Sequence, residues 1–330
     1  MAKIDKNLLF LISEESRSKI KAIGLILKKS PQRIKYEIKV FKRENILAEP
    51  YCIIDYGQLD LILFRVYFKG GYTSEKDKAR IIRYLSDNHY ITSIHEFNGE
   101  YDLAVDMISP NPSRFNKEIK KIASQVPSLN NYIVLLNVVT HIYPKNYLAS
   151  PHLQRTGADQ ETVVGGDRPI KNITKDEMTL VKLLSERPNS RLTYLSKDAE
   201  MNIKTMKKSL HHLISSRIIR GFKYNINITK IGAYKFRLFL NLHNVSQESD
   251  NNLLQFLLTT RETVQMNRTV GEWDMEIDIE SLDRARVRQI ILKLREEFKD
   301  IIQSFKIIEV LEAHKISYIP RYIFDEKVMT

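Results

Sequence analysis

Two segments of the chain concentrate basic side chains at helical spacing. Residues 28–43 hold seven lysines and arginines against one acid, Glu37, and residues 201–223 hold six against none. An α-helix fits the major groove of DNA, where its polar side chains reach base edges and neighbouring lysines and arginines contact phosphates. The two segments therefore predict contact with double-stranded DNA, and the formal net charge of +12 over 330 residues favours a polyanionic partner.

The candidate DNA-binding residues lie on the outward faces of two predicted helices, at their N-caps and in the adjoining turns. They are Lys28, Ser30, Gln32, Arg33, Lys35, Tyr36, Lys39 and Lys42 in the first segment, and Asn202, Lys204, Thr205, Lys207, Lys208, His211 and Arg217 in the second. We expect base contacts from Gln32, Arg33, Tyr36, Lys204, Thr205 and Lys208, and phosphate contacts from the remaining lysines and Arg217. The alternative is a solvated helix face, and the recurrence of the arrangement argues against it.

The recurrence extends over the whole chain. Gly99-Glu100-Tyr101-Asp102 returns as Gly271-Glu272-Trp273-Asp274, an offset of 172. Asp5 returns as Asp176 and His141 as His314, at offsets of 171 and 173. Offsets this constant indicate a tandem duplication of one unit of about 150 residues, within the usual size of one or two small domains.

Each unit begins with a predicted helix-turn-helix. Apolar residues recur at helical spacing after Asp5, Ser30 is placed to cap a third helix, and Pro31 occupies the favoured first helical position. Residues 46–54 are predicted to form a short hairpin, the wing of a winged helix-turn-helix. The remainder of the unit alternates strands and helices in the order βαββαβ, with Asn98-Gly99 as a strong hairpin signal.

The predicted fold class is therefore α+β, with two tandem units, each a winged helix-turn-helix followed by a ferredoxin-like βαββαβ domain. The predicted boundaries are 1–54 and 173–229 for the helix-turn-helix domains, 55–147 and 230–330 for the ferredoxin-like domains, and 148–172 for a polar linker.

Several classes of protein are disfavoured by what the sequence lacks. The single cysteine, Cys52, cannot form an internal disulfide, and no signal-peptide pattern or membrane-length apolar run is found. The zinc-protease, phosphate-loop and nucleophile-elbow motifs are also missing. We expect a cytoplasmic protein without catalytic residues, metal site or cofactor, hence not an enzyme.

The residues resemble the Lrp/AsnC (feast/famine) family of transcription regulators. Ile4-Asp5 followed by Leu8, Leu9 and Leu11 is similar to the opening pattern of that family. The spacing Ser30-x-x-x-Ile34-x-x-x-Ile38-x-x-Phe41 is similar to its recognition helix and recurs from Asn202. The chain departs from the family at Glu37 and Ser209, where Arg is usual, and at Asn45 and Ser216, where Gly is usual.

The resemblance implies a sequence-specific DNA-binding regulator that pairs through its sheet domains, assembles further as a homo-oligomer and responds to a small effector such as an amino acid. It implies an effector site near the Gly-Glu-aromatic-Asp hairpins, at Gly99, Tyr101, Asp102, Gly271, Trp273 and Asp274. The alternative for these residues is structural, because the glycines suit a turn and the aromatic rings suit packing.

Two other functions share this architecture. Siroheme decarboxylases resemble fused Lrp-like units and bind a tetrapyrrole, and His95 and Arg268 lie near the predicted hairpins here. An architectural protein would wrap or bridge DNA with weak sequence preference and no ligand response. The two basic helices and the two regulator-type hairpins favour the transcription regulator.

Overall fold

The computed structural model describes residues 4–154 and 161–325. The first half contains α1 Lys6–Glu14, α2 Ile20–Leu27, α3 Pro31–Arg43, β1 Leu47–Ile54, β2 Ile62–Phe68, α4 Glu75–Asp87, β3 Ile91–Asn98, β4 Leu103–Ser109, α5 Pro112–Gln125 and β5 Tyr132–Ile142, followed by β6 Thr162–Gly165. The second half contains α6 Lys175–Glu186, α7 Leu192–Asp198, α8 Ile203–Ser215, β7 Ile219–Ile226, β8 Tyr234–Leu242, α9 Gln247–Thr259, β9 Thr263–Val270, β10 Met275–Ser281, α10 Arg284–Glu297 and β11 Ile302–Ile316. The α+β fold class and the two-unit organisation are confirmed.

Side-chain caps explain where the helices begin. The Asp5 carboxylate accepts a hydrogen bond from the Leu8 amide at 3.1 Å, which satisfies a free donor at the start of α1. The Ser30 hydroxyl accepts from the Arg33 amide at 3.3 Å, and Pro31 follows it as the first residue of α3. Thr174 and Glu177 form a capping box at the start of α6.

The predicted wing hairpin at residues 46–54 is wrong in one respect. These residues form a single strand, β1, and its antiparallel partner is β7 of the other unit, with Cys52 opposite Phe222. A lone strand exposes unpaired backbone donors and acceptors along both edges, and the equivalent strand of the second unit satisfies one of those edges. This two-stranded ribbon joins the two helix-turn-helix domains.

The remaining strands close into an antiparallel barrel. Their order is β2-β4-β3-β11-β8-β10-β9-β5, with β5 pairing again with β2 and with β6 added beside β5. Within each unit the strand order is that of the ferredoxin-like fold, and the two units meet at the β3–β11 and β5–β9 edges. A duplicated chain thus joins both sheets without leaving an open edge at either seam.

The barrel has an apolar outer layer under its helices. Strand residues such as Val66 and Val105 pack against Ile81 and Ile119 in the first unit, and the second unit repeats the arrangement beneath α9 and α10. Residues that alternate with these face the barrel interior, as the two-residue period of a strand requires.

The cores of the two units are interlocked. Tyr224 and Ile226 of β7 pack in the core of the first helix-turn-helix, and Cys52 and Ile54 of β1 pack in the core of the second. Each domain therefore depends on the other unit for part of its apolar core.

The predicted linker, 148–172, contains regular structure. Leu148 and Ala149 are buried against the first helix-turn-helix, and β6 pairs with β5 at Thr140 and Val164. Because β6 has only four residues, flanked by polar segments, it is too short to give a recognisable strand pattern in the sequence. Among the described residues, none of the helices has the length and apolar character required to cross a membrane.

Candidate nucleic-acid interface and ligand cavity

The helix α3 has one buried face and one exposed basic face. Ile34 and Phe41 are buried in the domain core and fix the helix orientation. The opposite face exposes the six predicted helix side chains Gln32, Arg33, Lys35, Tyr36, Lys39 and Lys42. The side-chain oxygen of Ser30 is already used as the N-cap, so its predicted DNA contact must be made alongside that bond.

The helix α8 repeats this arrangement at an offset of 172. Met206 and Leu213 are buried, and the Asn202 side chain caps the helix by accepting from the Lys204 amide at 2.8 Å. The exposed face carries Lys204, Thr205, Lys207, Lys208 and His211. Each unit thus presents one exposed recognition helix with several uncompensated cations.

Lys28 and Arg217 lie in turns beside the recognition helices. Both are exposed and both adopt left-handed backbone conformations, with φ of 53° and 63°. Lys42 is partly engaged, because its ammonium lies 5.2 Å from the centre of the Tyr224 ring on the ribbon. The structure thus brings the predicted DNA-binding residues into two surfaces, one in each unit.

The exposed face of α3 carries one built-in negative charge. Glu37 accepts hydrogen bonds from the Lys29 ammonium at 3.0 Å and from Arg33 Nε at 2.9 Å. The equivalent residue of α8 is Ser209, which is buried. The two recognition helices therefore differ in electrostatics as well as in sequence.

The predicted effector residues at the hairpins take part in packing and turn contacts. Gly99 and Gly271 have φ of 148° and 146°, and a Cβ on Gly271 would lie 2.9 Å from the Val134 carbonyl oxygen. Tyr101 and Trp273 are buried around Phe239 at one end of the barrel.

The hairpin carboxylates are also engaged. Asp102 accepts a hydrogen bond from the Gly71 amide at 3.1 Å, and Asp274 accepts one from the Leu242 amide at 2.8 Å. These bonds tie each hairpin to the end of the first strand of its own sheet. An effector site at the hairpins remains a prediction.

A buried ionic network occupies the middle of the barrel, and sequence reasoning missed it. Arg65 donates to Asp106 at 2.5 Å from Nε, and Arg237 donates to Asp278 in the same way at 2.6 Å. The Arg65 guanidinium also binds Glu276. Desolvation by burial would raise the pKa of Asp106, but the charge and hydrogen bonds of Arg65 outweigh it. The pKa of Asp106 is therefore lowered although the group is buried. The Arg237–Asp278 pair repeats the Arg65–Asp106 pair at an offset of 172. A residue-by-residue comparison of the two units would reveal this repeat in the sequence.

A cavity of about 230 Å³ lies between this network and the ribbon. Its floor includes Arg65, Ser93 and His95 of the barrel, and its roof includes Tyr51 and Tyr224 of the ribbon. Burial lowers the pKa of the His95 imidazole to about 3, with the Arg237 and Lys235 charges adding to the effect. The ring is therefore neutral near pH 7.

Arg268 and the other histidines lie outside this cavity. Arg268 pairs with Asp250 of α9, so it does not join His95 as the tetrapyrrole alternative supposed. His141 contacts Glu161 at 2.9 Å, and His314 contacts Glu96 at 3.0 Å.

One cluster of metal-ligating residue types is found among the described residues. Glu96, Glu312 and His314 each offer a ligand atom within 4.8 Å of the others. Lys78 and Tyr72 also donate to the Glu96 carboxylate, each at 3.1 Å. These donors already satisfy part of the negative charge that a cation would need.

Comparison with known proteins agrees with this architecture. No protein-family model matches the chain. An uncharacterised HTH-type transcriptional regulator of Pyrococcus horikoshii, PH0061, is 26% identical over 135 residues, which are 41% of this chain and 90% of the relative. The crystal structure of the siroheme decarboxylase NirDL in complex with an iron-uroporphyrin III analogue matches 96% of this chain and 93% of its own, with 12% identity and a TM-score of 0.56. The structure of E. coli AsnC matches 43% of this chain and 94% of its own, with 16% identity and a TM-score of 0.37.

The fold and the repeated recognition helices define a protein with two helix-turn-helix and two ferredoxin-like domains in one chain. The chain resembles a tandem-duplicated Lrp/AsnC-like protein. The resemblance inferred from the residues is confirmed.

Our prediction that the chain is not an enzyme is contradicted. A solved structure that matches nearly the whole chain, and not only one unit, is that of an enzyme, the siroheme decarboxylase NirDL. At 12% identity this likeness shows the fold alone, yet it establishes that the complete two-unit architecture supports catalysis elsewhere. The absence of familiar catalytic motifs was therefore insufficient ground for that prediction.

Proposed function

We propose that the protein is a sequence-specific, double-stranded DNA-binding transcription regulator of Lrp/AsnC type that responds to a small effector, such as an amino acid. The observation that carries the proposal is the pair of exposed basic faces on α3 and α8, held in one molecule by the β1–β7 ribbon. Two recognition helices would address two half-sites about 34 Å apart, or a multiple of that distance. Because the helices differ, the half-sites should differ as well.

The excess of basic side chains on the exposed faces of α3 and α8 supports DNA binding more directly than the fold does. Among the described residues of α8, no acidic side chain lies between Lys204 and His211, and on α3 Glu37 is the sole acid. Exposed lysines and arginines that displace counterions from phosphates give DNA binding a steep salt dependence. Further assembly into a homo-oligomer through the sheet domains is part of the proposal, and light scattering of the full chain would measure it.

The test compares three double variants on one selected DNA site and on random duplex. Lys35→Ala/Lys39→Ala alters α3, Lys207→Ala/Lys208→Ala alters α8, and Lys120→Ala/Lys121→Ala alters exposed lysines of α5 as a matched charge control. The first two should each lower affinity about tenfold or more and reduce the salt slope by about 2, because each removes about two phosphate contacts. Equal affinity of all three variants would overturn the proposal.

A second candidate function is that of an enzyme acting on a tetrapyrrole. The match of NirDL to 96% of the chain favours it, as does a cavity that holds buried Arg65 and His95. The cavity volume of about 230 Å³ opposes it, since sites for drug-sized ligands span about 300–1,000 Å³ and a ring of four pyrroles would require the cavity to widen.

Absorbance titration with the iron-uroporphyrin III analogue separates the two candidates. A saturable spectral shift that His95→Phe removes would support the tetrapyrrole enzyme. An unshifted spectrum would exclude this ligand. An architectural DNA-binding protein would instead show DNA affinity with weak sequence preference and no response to any ligand.

A further inference from the structure

The charged side chains around the central cavity balance one another. Apart from Glu312, which also lines the cavity but whose side chain is 58% exposed, five cations and five carboxylates form ion pairs in or directly behind its wall. The cations are Arg65, Lys145, Lys223, Lys235 and Arg237, and the carboxylates are Glu14, Asp106, Glu276, Asp278 and Glu280. A ligand that brought a net charge into this wall would leave one buried charge without compensation, which is costly in a poorly solvated site.

One buried polar atom of the wall has no hydrogen-bond partner among the described residues. His95 is 9% exposed, and its Nδ1 atom is buried without a partner. The Tyr51 and Tyr318 rings stack on the ribbon side of the same wall, with 5.9 Å between their centroids. Burial raises the pKa of both phenols, so both hydroxyls remain neutral donors and acceptors. Buried polar groups are normally hydrogen-bonded, so the unpartnered His95 Nδ1 points to a bound molecule, to which the two phenol hydroxyls of the wall offer further hydrogen bonds.

The size of the cavity limits that molecule. An engineered apolar cavity of about 150 Å³ holds a benzene molecule. A volume of about 230 Å³ has room for a body of that size together with a few polar atoms. Apolar walls at Leu63, Ile108 and Val264 would contact the body of the ligand.

We propose that this cavity is the effector site, and that its ligand is a small molecule without net charge, zwitterions included, with an apolar body and hydrogen-bonding groups that meet His95, Tyr51 and Tyr318. The ligand class and the location go beyond the hairpin site that the sequence predicted. That a bound ligand alters DNA affinity rests on the proposed function.

The position of the cavity gives a bound ligand a route to the recognition helices. Tyr51 belongs to β1 and Tyr224 to β7, so a ligand contacts both strands of the ribbon that joins the two helix-turn-helix domains. A ligand alters DNA affinity only as far as it binds differently to the DNA-competent and the other conformation. A ligand beneath the ribbon is placed to have such a preference.

Thermal unfolding of the full chain without DNA tests the ligand proposal. The probes are the proteinogenic amino acids, with charged and with uncharged side chains, and the free nucleobases, each at millimolar concentration. At about 100 times Kd, a ligand of the native state should raise Tm by a few degrees. We expect net-uncharged members of the panel to do so and net-charged members to fail.

Two variants assign the binding to the cavity. His95→Phe removes both ring nitrogens at similar volume, and Tyr318→Phe removes one hydroxyl while retaining the stacked ring. Each should weaken binding about tenfold, the effect of one lost hydrogen bond. The control His243→Phe alters an exposed loop histidine and should bind as the parent protein does.

Three results would overturn the proposal: no panel member raises Tm, a net-charged member binds most tightly, or folded His95→Phe binds as tightly as the parent protein. DNA affinity is measured separately on the same samples. If the protein binds a ligand in the cavity but no DNA, the proposed function alone is contradicted. If it binds DNA but no ligand in the cavity, the cavity proposal alone is contradicted.

Discussion

Arg33 and Glu37 form an ion pair one turn apart on α3, with 2.9 Å between Nε and Oε1. The arginine side chain is 65% exposed and the glutamate side chain 18% exposed, so the pair lies at the surface that we assign to DNA. The corresponding residues of α8 are Thr205 and Ser209, which cannot form such a pair. The first unit therefore carries a local negative charge that competes with phosphate for Arg33.

Replacing this glutamate should strengthen DNA binding. Glu37→Gln removes one negative charge near the phosphates and releases Arg33, which we expect to raise affinity about fivefold at low salt, or about 1 kcal/mol. The matched control is Glu248→Gln, an exposed charge on α9. Fluorescence anisotropy with labelled duplex measures both. Unchanged affinity of Glu37→Gln would show that α3 does not face DNA.

Base contacts and phosphate contacts should be separable on α3. Arg33→Ala should relax specificity at one half-site by about 1–3 kcal/mol, because it removes a side chain assigned to a base edge. Lys39→Ala should weaken all DNA similarly and reduce the salt slope by about 1. Competition between a selected site and random duplex measures the difference. An equal loss on both DNAs for both variants would contradict this division.

Removing one partner of a buried ion pair in the barrel should destabilise the protein strongly. Arg237 and Asp278 are each 1% exposed, and Arg237→Met would leave a buried carboxylate with only Lys235, at 3.1 Å, to compensate it. We expect the free energy of unfolding in urea to fall by about 3 kcal/mol. Lys293→Met, which breaks an exposed pair with Glu297, should cost less than about 1 kcal/mol. Similar losses for both variants would contradict the buried-pair account.

The neutral state of His95 predicts an acid-dependent loss of stability. Its pKa is lowered to about 3 in the folded protein, against about 6.5 in the unfolded chain. Between these values the unfolded state binds more protons, so its contribution to stability is complete above about pH 6.5 and declines as the pH falls towards 3.

The expected slope is up to about 1.4 kcal/mol per pH unit in that range. Because carboxylates also titrate below pH 5, the measurement is the difference in unfolding free energy between the parent protein and His95→Phe at pH 7, 6 and 5. The difference should shift in favour of the variant as the pH falls. A constant difference would show that the pKa of His95 is the same in the folded and unfolded protein.

Local patterns predicted most of the fold. Capping residues such as Ser30 and the Asn98-Gly99 turn specify their elements through neighbouring backbone, so each was visible within a few residues of sequence. The repeat predicts the elements of the second unit at the same spacing as those of the first. Helical periodicity predicts the exposed faces of α3 and α8.

Contacts between the units were not predictable in the same way. The pairing of β1 with β7 and the closure of the barrel depend on strands separated by well over a hundred residues. The sequence of β1 is equally compatible with a local hairpin and with a strand that pairs with the other unit. Arg65 and Arg237 were overlooked because a single arginine in an apolar strand is compatible with either face, and only the partner carboxylates decide which.

Sequence-specific DNA binding is tested most directly by selection from a genomic DNA library with the full chain at two salt concentrations. We expect enriched sites that contain two unlike half-sites about 34 Å apart, or a multiple of that distance, and that are retained much less as salt rises. The variant Lys35→Ala/Lys39→Ala should lose selection of one half-site, and Lys207→Ala/Lys208→Ala should lose selection of the other. No enrichment at low salt, or enrichment that both variants retain, would contradict it.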